Sequence, residues 1–151
     1  MIKAWVWWAA LSVCLAGCAH APRTADPIQR TESLRAAEIA FAQSMAERDF
    51  QAFAAHIAED AVFINGGQPL HGKAAILAHW KQFFEAPAAP FSWTPDLAVV
   101  TASGDLGYTH GPVHDPQGQM ILRFYSTWRW HPEGRWQVVF DNGYVPAPQA
   151  Q

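Results

Sequence analysis

The chain has 151 residues, half of them hydrophobic and 13% aromatic, with only 15% charged. That length fits one domain, and so large an apolar share excludes an intrinsically disordered protein. The formal net charge of −3 offers no basic field for nucleic-acid phosphates. Both cysteines, Cys14 and Cys18, sit at the start of the chain, which excludes a disulfide framework or a thiolate zinc site in the folded part.

Residues 1–17 read as a secretory signal. Lys3 supplies a positive head, and Ala4 to Leu15 is apolar except for Ser12. The run is too short for a membrane-spanning helix, which needs about 20 apolar residues. It ends in Leu15-Ala16-Gly17-Cys18, which resembles the lipobox of bacterial lipoproteins. The resemblance implies lipidation of Cys18 and a membrane anchor through it. An ordinary cleaved signal is the alternative. Ala19 follows the cysteine where inner-membrane retention usually uses aspartate, so the resemblance points to the outer membrane with the domain facing the periplasm. Cleavage would remove Lys3 and no acid, leaving a more acidic mature chain. Residues 18–30, with Pro22 and Pro27, read as the lipidated cysteine and a flexible tether.

The folded domain is expected over residues 31–144. Thr31 or Ser33 can cap a first helix carrying Leu34, Ala37, Phe41 and Met45 at helical spacing, with Glu38 on or beside the stripe. Asp49 can cap a short second helix in which Phe53 and Ile57 repeat. Ala61 to Asn65 suits a strand ended by Gly66-Gly67. Gly72 precedes a third helix with Ile76, Trp80 and Phe83 or Phe84 on one face, and Pro87 and Pro90 end the helical part. Four apolar-alternating runs follow: Leu97 to Ala102, Asp105 to Val113, Gln119 to Trp130, and Trp136 to Tyr144. Breaks at Ser103-Gly104, Pro116-Gln117-Gly118 and Pro132-Glu133-Gly134 make them an antiparallel meander. Residues 145–151 read as a disordered tail. Helices first and strands later argue for α+β.

This order, with Glu38, Arg48-Asp49, Asp60-Ala61-Val62-Phe63, Gly72, Phe91-Ser92-Trp93-Thr94-Pro95, Ser103-Gly104-Asp105-Leu106, Gly111-Pro112-Val113, Trp128-Arg129, Gly134-Arg135-Trp136 and Phe140-Asp141-Asn142-Gly143, resembles the nuclear transport factor 2-like superfamily. That group includes SnoaL-like cyclases, ketosteroid isomerase and limonene epoxide hydrolase. Within it the chain is most similar to a bacterial subfamily of unassigned function. The resemblance implies a cone-shaped, strongly bent, mainly antiparallel sheet covered by three helices, with a ligand cavity inside. Against ketosteroid isomerase, the catalytic base falls at Asn65 and the oxyanion tyrosine at Phe41, so that mechanism is excluded in its known form. Against limonene epoxide hydrolase, a pocket aspartate matches Asp141, while its arginine and second aspartate fall at His110 and Pro112.

Two function classes follow. One is a binding module taking a small, largely apolar molecule. The other is a cofactor-independent hydrolase, lyase or isomerase with Asp141 and His110 as base and acid. Against catalysis stands a plainer role: Asp141 capping the Asn142-Gly143 turn, and His110 at a strand kink. Candidate ligand-binding residues are Tyr108, Trp80, Trp93, Arg123 and Tyr125, with Trp93 at the cavity mouth. Strict alternation puts Leu106, Tyr108 and His110 on one face of their strand. On the next strand it puts Arg123, Tyr125, Thr127 and Arg129 opposite the apolar set Leu122, Phe124, Ser126 and Trp128. In the superfamily that the chain resembles this face is often a dimer surface, so the resemblance implies a homodimer unless a bulge turns the face inward. Trp128 and Trp136 belong to the core. His110 and His114 form no convincing ligand pair, so neither a metal nor another cofactor is expected.

Overall fold

A computed structural model of the protein describes residues 26–146. The signal segment, Cys18, most of the tether and the end of the tail lie outside these residues, as does the side chain of Asn65. Helix α1 spans Pro27–Ala46. It starts before the expected Thr31 or Ser33 because Asp26 accepts a hydrogen bond from the Ile28 amide and Pro27 occupies the first turn, where its missing N–H costs nothing. Pro27 to Arg30 therefore belong to the helix, not to the tether. Leu34, Glu38, Phe41 and Met45 form its buried stripe.

Arg48 follows at φ 63°, and its guanidinium bonds the Met45, Phe83 and Ala86 carbonyls, tying the end of α1 to the later chain. Asp49 caps helix α2, Phe50–Ala55, through the Ala52 amide at 2.9 Å. Ile57 lies beyond α2, at the start of strand β1, Ile57–Asn65, which begins earlier than Ala61. Gly66 and Gly67, at φ 74° and 94°, make the two-residue turn into strand β2, Gln68–His71. Gly72 precedes helix α3, Lys73–Trp80, and a 3-10 turn at Lys81–Phe84 closes the helical part.

Strand β3, Ser92–Trp93, is a pairing the periodicity does not reveal. Strands β4 (Leu97–Val100), β5 (Leu106–His114), β6 (Met120–His131) and β7 (Arg135–Tyr144) then pair in sequence as an antiparallel meander. The sheet order is β2-β1-β7-β6-β5-β3, with β4 also on β5, and β1 runs parallel to β7. The result is an α+β fold in which three helices pack into a strongly curved, unclosed mixed sheet.

Three register shifts interrupt this sheet, one of them in the β5–β6 pair at Val113 and His114, where Ile121 is the extra residue, and the other two bear on the site. Of those two, one lies in β1 between Ile57 and Val62, the other opposite Thr127 and Trp128. At the second, Trp128 faces Val138 and Thr127 faces Phe140, so Val139 is the extra residue. Its insertion reverses the alternation of β7 beyond that point. Phe140 is turned out and 53% exposed, and Asp141 is turned in.

The core is aromatic. Phe41 stacks on Phe53 at 4.8 Å, Phe53 stacks on Trp80 at 5.0 Å, and Trp93 and Trp128 meet Phe41 edge-on. Trp80, Phe41 and Phe124 are all buried, as expected. Fully buried among these rings is Glu38. Its Oε1 accepts from Trp93 Nε1 at 2.7 Å. Its Oε2 accepts from Thr109 Oγ1 at 2.6 Å and Trp128 Nε1 at 3.1 Å. Burial pushes its carboxyl above the usual range even though all three donors favour the charged form.

Candidate functional site

A cavity of about 180 Å³ lies between the helical end of the chain and the far ends of β5, β6 and β7. Trp80 of α3, Phe83 of the 3-10 turn and Phe91 of the Pro-rich loop wall one side. Val113, Leu122 and Phe124 wall the sheet side. Gly66 and Ile121, both lining and both exposed, mark the mouth. The one ionisable side chain in this lining is Asp141, which is 9% exposed.

Asp141 is placed by the Val139 bulge and held by Ser126, directly across the β6–β7 ladder, whose Oγ donates to Oδ2 at 2.7 Å. No described side chain bonds the other oxygen, Oδ1. Burial pushes the carboxyl up to about 7, against the Ser126 hydrogen bond and with help from the nearby charge of Glu38. A carboxyl that exchanges its proton near neutrality, in an apolar cavity, can donate or accept toward whatever enters.

His110 is not part of this site. Thr109, its neighbour on β5, reaches Glu38 on the helix side, so His110 points to the opposite, outer face of the sheet. The proposed Asp141–His110 acid–base pair is therefore not assembled, because the two side chains are separated by the sheet itself. On the outer face His110 Nδ1 lies 2.7 Å from Asp96 Oδ1 and 2.8 Å from the Arg123 guanidinium, which pairs with the same carboxylate. Arg123 and His110 hold Asp96 below the usual carboxylate range, outweighing the partial burial that would raise it. The rings of Tyr108 and Tyr125 flank His110, at 5.9 and 5.8 Å between centroids. Tyr108, Arg123 and Tyr125 thus lie outside the cavity, on the face that alternation assigned to them.

Trp80 lines the cavity. Trp93 does not rim the mouth, because its indole is drawn into the core by the bond to Glu38. Sequence reasoning missed Ser126 as a functional residue, although its inward position between Phe124 and Trp128 on β6 was a usable signal: a hydroxyl in a buried aromatic stripe needs a polar partner. It also missed Phe83 and Phe91, which flank the prolines that fold the loop back over the cavity.

The opposite end of the cone belongs to the start of α1. There the Arg30 guanidinium lies 3.8 Å over the Trp130 ring, and Trp136 Nε1 donates to Ser33 Oγ at 3.0 Å. Among the described residues no helix is long and apolar enough to cross a membrane, and no group of three or more His, Cys, Asp or Glu could hold a metal ion.

The model of the SnoaL-like domain matches residues 39–139. Solved structures share the fold. A nuclear transport factor 2-like protein of unknown function from Pseudomonas putida is 24% identical, with 79% of this chain and 88% of that chain covered and a TM-score of 0.66. A ketosteroid isomerase-like protein from Erwinia carotovora atroseptica is 18% identical over 80% and 98%, with a TM-score of 0.63. A proposed dehydratase of the nuclear transport factor 2-like family from Streptomyces avermitilis is 15% identical over 81% and 99%, with a TM-score of 0.66. No curated protein matches the chain. With the family model covering most of the domain, and the cone and its cavity in place, this chain belongs to the SnoaL-like domain family of the nuclear transport factor 2-like superfamily.

Proposed function

We propose that the cavity binds a small, largely apolar molecule with one polar group directed at Asp141. The observation that carries this is the lining: four aromatic and three aliphatic side chains converge on a single carboxyl. An apolar cavity of about 150 Å³ can accept benzene, so about 180 Å³ suits one substituted ring. The test is a thermal-shift screen of monocyclic compounds on the intact chain and on Val113→Phe, which fills the cavity. Hits that stabilise the parent and not the variant are expected. Equal shifts in both would place binding elsewhere and defeat the reading.

A second reading is favoured by one observation, the proton affinity of Asp141 near neutrality, which suits general acid–base catalysis. In this form Asp141 works with Ser126 and without His110, and the dehydratase proposed among the structural neighbours is consistent with proton transfer. Conversion of a bound hit by the parent, lost in Asp141→Asn, would select this reading over simple binding.

The location belongs to the same proposal. A lipid anchor at Cys18 and an outer-membrane, periplasm-facing domain are supported by the Lys3 head, the apolar run and the Leu15-Ala16-Gly17-Cys18 box. Globomycin, which blocks lipoprotein signal cleavage, should accumulate the precursor, and normal processing under the drug would remove the anchor. Homodimerisation through the outer sheet face is supported by exposed Val99, Leu106, Phe140 and Tyr144, and sedimentation velocity on the intact chain tests it.

A further inference from the structure

The charge of the cavity narrows what it can hold. Among the described residues its lining contains a carboxyl and no base, and the other ionisable group that acts on Asp141 is Glu38, a second acid outside the lining. An anionic ligand would meet the Asp141 carboxyl, with no cation among the described lining residues to offset it. A hydrocarbon would offer nothing to Asp141 Oδ1, which no described side chain bonds. The rings around the carboxyl carry negative π faces, which attract positive charge. Trp80, Phe83 and Phe91 lie within 6.1 Å of one another, centroid to centroid, and Phe124 closes the sheet side.

We propose that the cavity takes a small hydrophobic amine in its protonated form, one ring carrying an ammonium group, with Asp141 as counter-ion and the ring among Trp80, Phe83, Phe91 and Phe124. This rests on the cavity reading above and names its ligand class. Ser126 keeps its hydrogen bond to Oδ2, and the ammonium donates to Oδ1. Below neutrality the empty site holds a protonated carboxyl, so binding displaces that proton to solvent while the amine keeps its own. Charge is conserved, since a cation enters and a proton leaves. Above neutrality the carboxylate is already formed and no proton is released.

The experiment is calorimetry on the intact chain with benzylammonium, benzyl alcohol, benzoate and toluene as probes, at pH 6 and pH 8, in two buffers of different ionisation enthalpy. Benzylammonium is expected to bind on the order of ten- to a hundred-fold tighter than benzyl alcohol, the span of a hydrogen bond to a charged group. Benzoate should not bind. The heat at pH 6 should depend on the buffer, reporting proton release, and at pH 8 it should not. Asp141→Asn should reduce benzylammonium to the affinity of benzyl alcohol, while proton release in the parent gives a readout that needs no variant. Benzyl alcohol, toluene or benzoate binding as tightly as benzylammonium would overturn the amine assignment and leave the cavity reading in place. Failure of all four probes would overturn both.

Discussion

Asp141→Asn is expected to make the protein more stable at pH 8, by up to about 4 kcal/mol, and to change it little at pH 4. The folded state holds this carboxyl at about 7 against an ordinary 3.8, each unit being worth about 1.4 kcal/mol. Below pH 4 the group is protonated in both folded and unfolded chains and costs nothing. As pH rises, the unfolded chain loses the proton first, so stability falls until the folded form also ionises near pH 7, and then levels. Asparagine cannot ionise and escapes that loss. Urea denaturation of parent and variant across this range is the measurement, and parallel curves would contradict the burial assigned to Asp141. Glu38 is raised in the same direction by burial, so some decline of stability with pH should persist in the variant. A fold that keeps a destabilising acid where an amide would do better is retaining it for something other than stability.

Gly111→Ala should cost at least about 3 kcal/mol and lower the melting temperature by roughly 10 °C. A Cβ at this position would lie 2.0 Å from the Thr94 carbonyl oxygen, 2.9 Å from Phe124 and 3.0 Å from the Pro95 Cα. The first and third are backbone, so β5 would have to leave the loop that enters β4, losing the bond from the Asp96 amide to the His110 carbonyl at 3.0 Å. Gly107→Ala is the milder comparison, because the three atoms nearest its Cβ, at 2.5 to 3.3 Å, all belong to the Leu34 side chain and none to backbone. Scanning calorimetry should rank the two in that order, and a Gly111→Ala protein melting with the parent would mean the loop does not seat on β5 as described.

The same two glycines show how much of the fold was readable. Alternation correctly grouped Tyr108 with His110 and Arg123 with Tyr125, because period-two patterning survives in any unbroken strand. Which of the two faces met the helices was also encoded, in Gly107 and Gly111, since glycine at alternate strand positions signals backbone or side chains approaching closely. Those glycines set Thr109 inward and His110 outward, away from Asp141. Beyond Trp136 the reading by parity fails: Val139 looks like any other β-branched residue, yet the bulge it makes decides whether Phe140 or Asp141 enters the cavity. A bulge is settled by the register of two partner strands, information held at no single position. The parallel pairing of β1 with β7 is invisible for the same reason. The start of α1 was misjudged because Pro27 reads as a tether residue until Asp26 is recognised as its cap. The buried bond between Glu38 and Trp93, residues 55 apart, shows only once the chain is folded.

The position of α1 has a further consequence for an anchored protein. The helix begins beside Trp130 and Trp136, at the end of the cone away from Gly66 and Ile121. With Cys18 fixed in a bilayer as proposed, the stretch to Asp26 would reach at most roughly 30 Å, so the domain would stay close to the lipid, held from the end away from the cavity mouth. On that anchor the opening would lie on the side of the domain away from its attachment, toward the aqueous compartment. Cargo dissolved in the lipid phase would have to leave it before entering, so exchange would be with molecules already in water or handed over by a soluble carrier. Moving the anchor to the opposite end of the domain would turn the same receptor toward the membrane.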